Sequence, residues 1–312
     1  MRKEQDRNEQ LDKYVSHQVA HSVVNQQTRS FQTELTTLLK NSVFAKTTEE
    51  ERTLVEILEK ARPESLRAFD QIPMRGMDLL FQVKLVAARL ANKNVVFMGD
   101  HDGTSLLLGL LSSQGFVRPP ARMTLLDFDE RLLATAQTLA KEYNFDSLLE
   151  TRPYNVFHPE PSDLRATFDA FYTNPPYGKS NLGESARLFI ARACNFTKPD
   201  QATGYILLPN DQERRWTRES MYLTQRFLID YGWNISTQLP ALHRYYLDDD
   251  KTLMSSLLIA DRIFDGASYM PWTGRQVGHK EITNFYGQSV LPPYPLFISE
   301  DGREIYQTDT LP

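Results

Sequence analysis

The sequence predicts an α/β protein built on a doubly wound, mostly parallel sheet with an N-terminal helical extension. Three observations lead there. From Asn92 onward, short apolar runs such as residues 94–98 (NVVFM) and 253–260 (LMSSLLIA) alternate with stretches of helical periodicity. Each polar cluster that bears glycine or proline directly follows a predicted strand, which is where sheets of this kind bind ligands. The 312 residues are 41% hydrophobic and 24% charged, enough to bury a large core.

Residues 1–46 are rich in Gln, Asn, Ser and Thr. Within them Val15, Val19, Val23 and Val24, then Phe31, Leu35, Leu38 and Leu39, recur at helical spacing. This reads as a helical extension that either makes a homodimer contact or braces the body. Thr47-Thr48-Glu49-Glu50 opens a helix, with acids in the first turn where the helix dipole favours them. Val55, Ile57 and Leu58 form its apolar stripe, and Pro63 lies past its end. Residues 68–73 connect it to a second helix over 76–91, and the pair makes a helical lead-in, 47–92. The body, 93–265, carries strands over 94–98, 123–128, 148–152, 168–173, 204–208, 234–239 and 253–260. Helices start at 104 and cover 130–143, 184–195 and 216–231 between them. The remainder, 266–312, is rich in Pro, Tyr and Gly and reads as an irregular or β-rich tail packed on the body.

Composition narrows the function classes. The net charge of -5 leans against a grip on long duplex DNA, which shows as a basic excess, and suits a cationic substrate. One cysteine, Cys194, cannot form an intramolecular disulfide, and it sits in a helical stretch as a small buried apolar residue. The polar start MRKEQDRNEQ lacks the apolar core of a signal peptide, and no run approaches the ~18 apolar residues of a membrane helix. A cytoplasmic protein with no membrane partner is expected.

Three clusters fall at predicted strand ends. The first is Gly99-Asp100-His101-Asp102-Gly103-Thr104-Ser105. Its glycines allow a tight turn and close backbone approach to a ligand, and Thr104 or Ser105 is available to cap the helix that follows. Asp100 and Asp102 would repel a phosphate and suit an ammonium, a sulfonium or an amine; His101 is a candidate base. The second is Asp127-Phe128-Asp129-Glu130. An acid placed roughly 25 residues after a glycine turn commonly accepts hydrogen bonds from ribose hydroxyls, and Asp127 or Asp129 suits that role. The third is Thr173-Asn174-Pro175-Pro176-Tyr177-Gly178-Lys179. Its prolines fix the backbone and remove two donors, so the Asn174 amide oxygen and the Pro175 carbonyl can accept from one amine. Tyr177 adds an aromatic face for a ring or a cation. Such a loop presents a nitrogen lone pair to an electrophilic carbon, a gain of positioning.

Asn174-Pro175-Pro176-Tyr177 resembles motif IV of amino-methyltransferases that act on adenine, cytosine or glutamine nitrogens. The wider pattern resembles the branched-chain polyamine synthases, aminopropyltransferases with a methyltransferase-like fold. The similar stretches are Phe69-Asp70-Gln71-Ile72-Pro73, Gly99–Ser105, Leu126-Asp127-Phe128-Asp129-Glu130-Arg131-Leu132, Thr173–Tyr177, and Met254-Ser255-Ser256-Leu257-Leu258, in order over residues 45–262. Two departures stand out. That family usually reads Gly-Asp-Asp-Asp-Leu-Thr-Ser, where this chain has His101 and Gly103, and its loop begins with Asp, where this chain has Asn174. An asparagine cannot take a proton, which moves the loop toward the nucleobase-amine version.

The resemblance implies a Rossmann-like class I methyltransferase fold and N-alkyl transfer from decarboxylated S-adenosylmethionine or S-adenosylmethionine, with no metal. The acceptor, a polyamine-like small molecule, would sit among Asn174, Pro175 and Tyr177. Asp100 or Asp102 would hold the amine or the donor's amino group. The donor would lie against Gly99, Asp100, His101, Gly103, Thr104, Ser105, Asp127, Phe128 and Asp129. Two rival readings are methyl or aminocarboxypropyl transfer to a nucleobase or nucleotide, and a non-catalytic scaffold that binds no donor. Two further segments pull opposite ways. Asp248-Asp249-Asp250 after His243-Arg244-Tyr245-Tyr246 suits a polyamine, whereas Arg214-Arg215-Trp216-Thr217-Arg218 suits phosphates.

Overall fold

A computed structural model describes residues 23–210, 214–247, 250, 252–278, 280–287 and 296–306. The chain divides into two units, residues 1–46 and 47–312. In the first, α1 (Val23–Phe44) is one continuous helix across the 31–39 stripe; Val15 and Val19 lie outside the described residues.

The second unit begins with α2 (Glu49–Ala61). Thr48 and Glu51 close a reciprocal capping box: the Thr48 Oγ1 accepts from Glu51 N at 3.3 Å, and Thr48 N donates to the Glu51 carboxylate at 2.8 Å. The same carboxylate receives Lys84 Nζ at 2.7 Å, which ties α2 to α3 (Gly76–Leu90). Leu54, Val55 and Leu58 form the buried stripe of α2.

Strands β1 (Asn94–Met98), β2 (Arg122–Asp127), β3 (Leu149–Pro153), β4 (Ala170–Thr173), β5 (Thr203–Pro209), β6 (Trp233–Arg244) and β7 (Met254–Arg262) form one sheet in the order β3-β2-β1-β4-β5-β7-β6. The first five are parallel, and β7 runs antiparallel between β5 and β6. Helices α4 (Thr104–Ser113), α5 (Glu130–Glu142), α6 (Glu184–Phe196) and α7 (Arg215–Asp230) alternate with the strands. This is the doubly wound, class I methyltransferase-like architecture the sequence predicts. Strand β6 is twice the length expected, running on to Arg244 through an irregularity between Leu239 and His243, so apolar patterning stopped short of its end.

Register places the site. Met98 of β1 pairs with Leu126 of β2 on one side and Thr173 of β4 on the other. The three loops that follow therefore emerge together where the strand order reverses, the crevice in which such sheets bind ligands. Gly99 and Gly103 are required there. Both have positive φ, and a Cβ at either would stand 2.8 Å from the Phe189 ring or 2.9 Å from Leu58.

Beyond β6, the segments 73–75 and 244–246 run side by side: Arg75 N donates to Arg244 O and Tyr246 N to Pro73 O, each at 2.9 Å. The tail is anchored through a buried Arg192–Glu160 ion pair at 2.9 Å, whose guanidinium also donates to the carbonyls of Trp272 and Arg275. A short hairpin, β8 (Leu296–Ile298) with β9 (Glu304–Tyr306), is stitched to the body where Ile298 N donates to Phe128 O at 3.0 Å. Among the described residues, no helix is long and apolar enough to cross a membrane.

Candidate active site

The three loops, the stretch 69–72 and the side chains of Phe189, Tyr245, Leu253 and Tyr286 enclose a cleft of about 680 Å³, counting its open mouth. From the predicted clusters it takes Gly99, His101, Asp102, Asp127, Phe128 and the whole of Asn174–Tyr177. Asp100, Gly103, Thr104, Ser105 and Asp129 do not line it.

Asp100 is where the sequence expectation changes. Its carboxylate accepts from Thr104 N at 2.9 Å and Ser105 N at 2.7 Å, so it caps α4 and does not face the cleft. The hydroxyls of Thr104 and Ser105 were the expected caps. Gly103 instead takes the left-handed cap position, which turns those two N–H groups back toward Asp100. Asp100 in turn is braced by Asp127, whose Oδ2 accepts from Asp100 N at 3.1 Å and whose Oδ1 accepts from Asp129 N at 2.9 Å. Burial pushes both carboxyls, Asp100 and Asp127, up to about 7 against the pull of these backbone donors. Replacing Asp100 with alanine strands two buried N–H groups at the start of α4. A loss of about 2 kcal/mol is expected in urea unfolding, with the cleft affected only through that helix.

Asp129 is an anchor for other side chains. It caps α5, holds Arg131 through both oxygens, and accepts from Gln71 Nε2 at 3.1 Å. The Gln71 amide oxygen accepts from Leu66 N at 2.7 Å, so this contact pins the turn that carries Asp70.

Asp102 does face the cleft. It accepts from Met74 N at 2.6 Å and from Asn174 Nδ2 at 2.5 Å, and burial raises its carboxyl above the ordinary range. The contact with Asn174 fixes the amide so that its oxygen points to the hydroxyls of Tyr177, at 3.2 Å, and Tyr245, at 3.5 Å. His101 is held by Ser65 at 3.0 Å through Nε2, while its Nδ1 has no partner among the described residues. Burial, then the nearby Arg62 guanidinium, pushes this imidazole down to about 4, so it is neutral at physiological pH.

Several lining residues escaped sequence reasoning. Asp70 sits in the left-handed region at φ 58, ψ 25, a conformation asparagine and aspartate tolerate better than most residues. Burial pushes its carboxyl up to about 6, while Arg67 and the Tyr177 backbone N–H pull it down. Phe69, Phe128 and Tyr286 form a cluster with ring centroids 5.5–6.0 Å apart on one wall, so the tail contributes to the site. The acid in the Phe69–Pro73 stretch was the only hint of Asp70; for Tyr286 there was none.

The two opposed charge segments meet each other. Arg214 pairs with Asp250 at 2.6 Å and Arg215 with Glu219 at 2.6 Å. Asp248 and Asp249 lie outside the described residues. Cys194 is fully buried and burial holds its thiol protonated. Among the described residues, no group of three or more His, Cys, Asp or Glu side chains is arranged to hold a metal.

Comparison with known proteins gives this site a context. A family model, the branched-chain polyamine synthase A C-terminal domain, matches residues 51–267. The N(4)-bis(aminopropyl)spermidine synthase of Thermococcus kodakarensis is 32% identical over 147 residues, covering 46% of this chain and 39% of that protein. The chain thus spans well under half the length of that relative. Among solved structures, the branched-chain polyamine synthase of Thermus thermophilus, in complex with N4-aminopropylspermidine and 5'-methylthioadenosine, aligns with a TM-score of 0.60 and 21% identity, covering 77% of this chain and 70% of that one. Its C9 mutein, in complex with the same two molecules, aligns with a TM-score of 0.61 and 22% identity, over 76% and 70%.

Proposed function

We propose that this chain, which belongs to the branched-chain polyamine synthase A C-terminal domain family, transfers an aminopropyl group from decarboxylated S-adenosylmethionine to a polyamine-type amine. The observation that carries this reading is the acidic lining of the cleft, whose buried carboxyls a bound cation would hold ionised. Its lining holds the carboxylates Asp70, Asp102 and Asp127 and, among the described residues, no Lys or Arg. A sulfonium with an ammonium arm and a polycationic acceptor both gain from that field. The α-carboxylate of S-adenosylmethionine itself would meet no Lys or Arg among the described lining residues.

Each residue then has a part. The aromatic wall of Phe69, Phe128 and Tyr286 receives the adenine ring. Both Asp127 oxygens hold backbone N–H groups but keep lone pairs that can accept from ribose hydroxyls. The acceptor nitrogen donates to Asn174 Oδ1 and attacks the carbon beside the sulfonium. As the N–C bond forms the C–S bond breaks, its electron pair leaving on sulfur as the neutral thioether methylthioadenosine. Asp70, ionised above about pH 6, takes the proton that the amine must lose. Asn174 cannot do this, which gives Asp70 a task that the loop leaves open.

A second reading follows from the same Asn174. A neutral amide also suits the exocyclic amine of a nucleobase, as in an amino-methyltransferase. Calorimetry with decarboxylated S-adenosylmethionine, S-adenosylmethionine and methylthioadenosine, followed by reaction of the better donor with spermidine and with oligonucleotides, separates the two. The decarboxylated donor is expected to bind at least tenfold tighter, because the carboxylate is left unpaired at a cost of roughly 1.4 kcal/mol or more. Tighter binding of S-adenosylmethionine together with a methylated oligonucleotide would overturn the aminopropyl reading. Binding of none of the three would overturn both.

A further inference from the structure

Behind the Asn174 loop a chain of hydrogen bonds runs into the protein interior. Tyr177 Oη lies 2.6 Å from Tyr245 Oη, and Tyr245 Oη lies 2.6 Å from Ser255 Oγ. Ser255 Oγ lies 3.0 Å from His243 Nδ1, and His243 Nε2 lies 2.8 Å from Gln82 Oε1. His243, Ser255 and Gln82 are completely buried, and Tyr245 nearly so. Burial holds both phenols protonated, so each hydroxyl has one hydrogen to give.

Counting those hydrogens gives the chain two possible directions. An amide oxygen can only accept, so the Gln82 contact requires a hydrogen on His243 Nε2. In the neutral ring, Nδ1 then has a bare lone pair and Ser255 donates to it. Ser255 Oγ must accept from Tyr245, and Tyr245 Oη from Tyr177. Both phenol hydrogens are thereby drawn away from Asn174. One of the two hydrogens on its Nδ2 is committed to Asp102. Its Oδ1 is left as an acceptor facing the cleft, beside the lone pairs of Tyr177. Run in the opposite sense, the chain would aim the tyrosine hydrogens at Asn174 Oδ1 and occupy it.

We propose that His243, held as its neutral Nε2–H tautomer by Gln82, sets the hydrogen-bond direction through Ser255 and Tyr245 so that Asn174 Oδ1 and Tyr177 Oη meet the incoming amine as acceptors. His243 and Ser255 are positioning residues: neither lines the cleft. The proposal rests on the reading of Asn174 as the amine site and adds what keeps that site an acceptor. It also explains why a neutral amide suffices there, since an N–H donor is selected by unsatisfied lone pairs as well as by charge.

Two measurements on the intact chain test it. Long-range proton–nitrogen correlation of protein labelled with ¹⁵N-histidine reads the tautomer directly, with His243 assigned by its shift in Ser255→Ala. The Nε2–H pattern is expected near neutral pH. An Nδ1–H pattern, meaning that the Gln82 amide is turned to donate, or a doubly protonated ring would overturn the proposal. Separately, spermidine binding in the presence of methylthioadenosine is expected to weaken roughly fivefold to tenfold in Ser255→Ala, as for one misdirected neutral hydrogen bond, and to recover in Ser255→Thr. Methylthioadenosine affinity should not move. Unchanged spermidine affinity in Ser255→Ala would overturn the proposal. Failure of the intact chain to bind spermidine at all would instead count against the function reading, and the tautomer would still decide the direction of the chain.

Discussion

Replacing Asn174 with alanine is expected to lower kcat/KM for the acceptor on the order of a hundredfold to a thousandfold, while methylthioadenosine affinity stays within about threefold. Two losses combine. The acceptor nitrogen loses the amide oxygen that orients its lone pair, and Asp102 loses the donor that meets its Oδ2. Asp102 keeps Met74 N, so the turn after β1 holds and the donor side of the cleft is preserved. Single-turnover rates with saturating donor, set beside calorimetry with methylthioadenosine, separate the two effects. Equal loss of transfer and of methylthioadenosine binding would mean that the loop serves the donor and that the acceptor sits elsewhere.

Asp70→Asn should cost as much or more, about a hundredfold to ten-thousandfold in the rate of transfer, because it removes the carboxyl assigned to take the amine proton. The pH profile carries the sharper signature. Burial raises the Asp70 carboxyl to about 6, so in the native chain the rate should climb as pH rises through about 6 and level off above it. That step should vanish in the variant. The linkage to stability has the opposite sign. A carboxyl raised in the folded state binds its proton more tightly there than in the unfolded chain. Its contribution therefore favours the folded state most at low pH and is lost as pH climbs from the ordinary value of 3.8 through about 6. Asp70→Asn should flatten that part of the stability profile, measured by urea unfolding across the range. A rate step that persists in Asp70→Asn would move the base to Asp102 or to water.

These expectations draw on different sources. The place of Asn174 in the cleft was legible because two prolines after an apolar strand fix a loop at the strand's end, a matter of local covalent geometry. The turn at Gly99 and Asp127 at the end of β2 were legible as cleft residues for a similar reason: both sit at fixed offsets from strands whose periodicity is plain. Asp70 could not be read in the same way. Its left-handed backbone closes the turn 67–69, which the Gln71 contact with Asp129, 58 residues later, pins in place, and its raised carboxyl comes from walls supplied by other segments. Asp100 shows the reverse case. Its acidity suggested a ligand contact, but a glycine cap turned the α4 N–H groups onto it, and the carboxylate was consumed within its own turn.

Local sequence is enough to specify the alternation of strands and helices, the sheet they form and the three loops at its carboxyl edge. Each of these depends on periodicity, turn chemistry and side-chain type over a few residues. Three-dimensional packing was needed to select which carboxylates face the cleft, to bring Tyr286 of the tail onto one wall, and to stand Tyr245 and Ser255 behind the loop in hydrogen-bond reach of His243. Those facts depend on register between β6 and β7 and on chain segments far apart in sequence. Burial and hydrogen-bond direction are properties of neighbours, and neighbours are set only when the chain has folded.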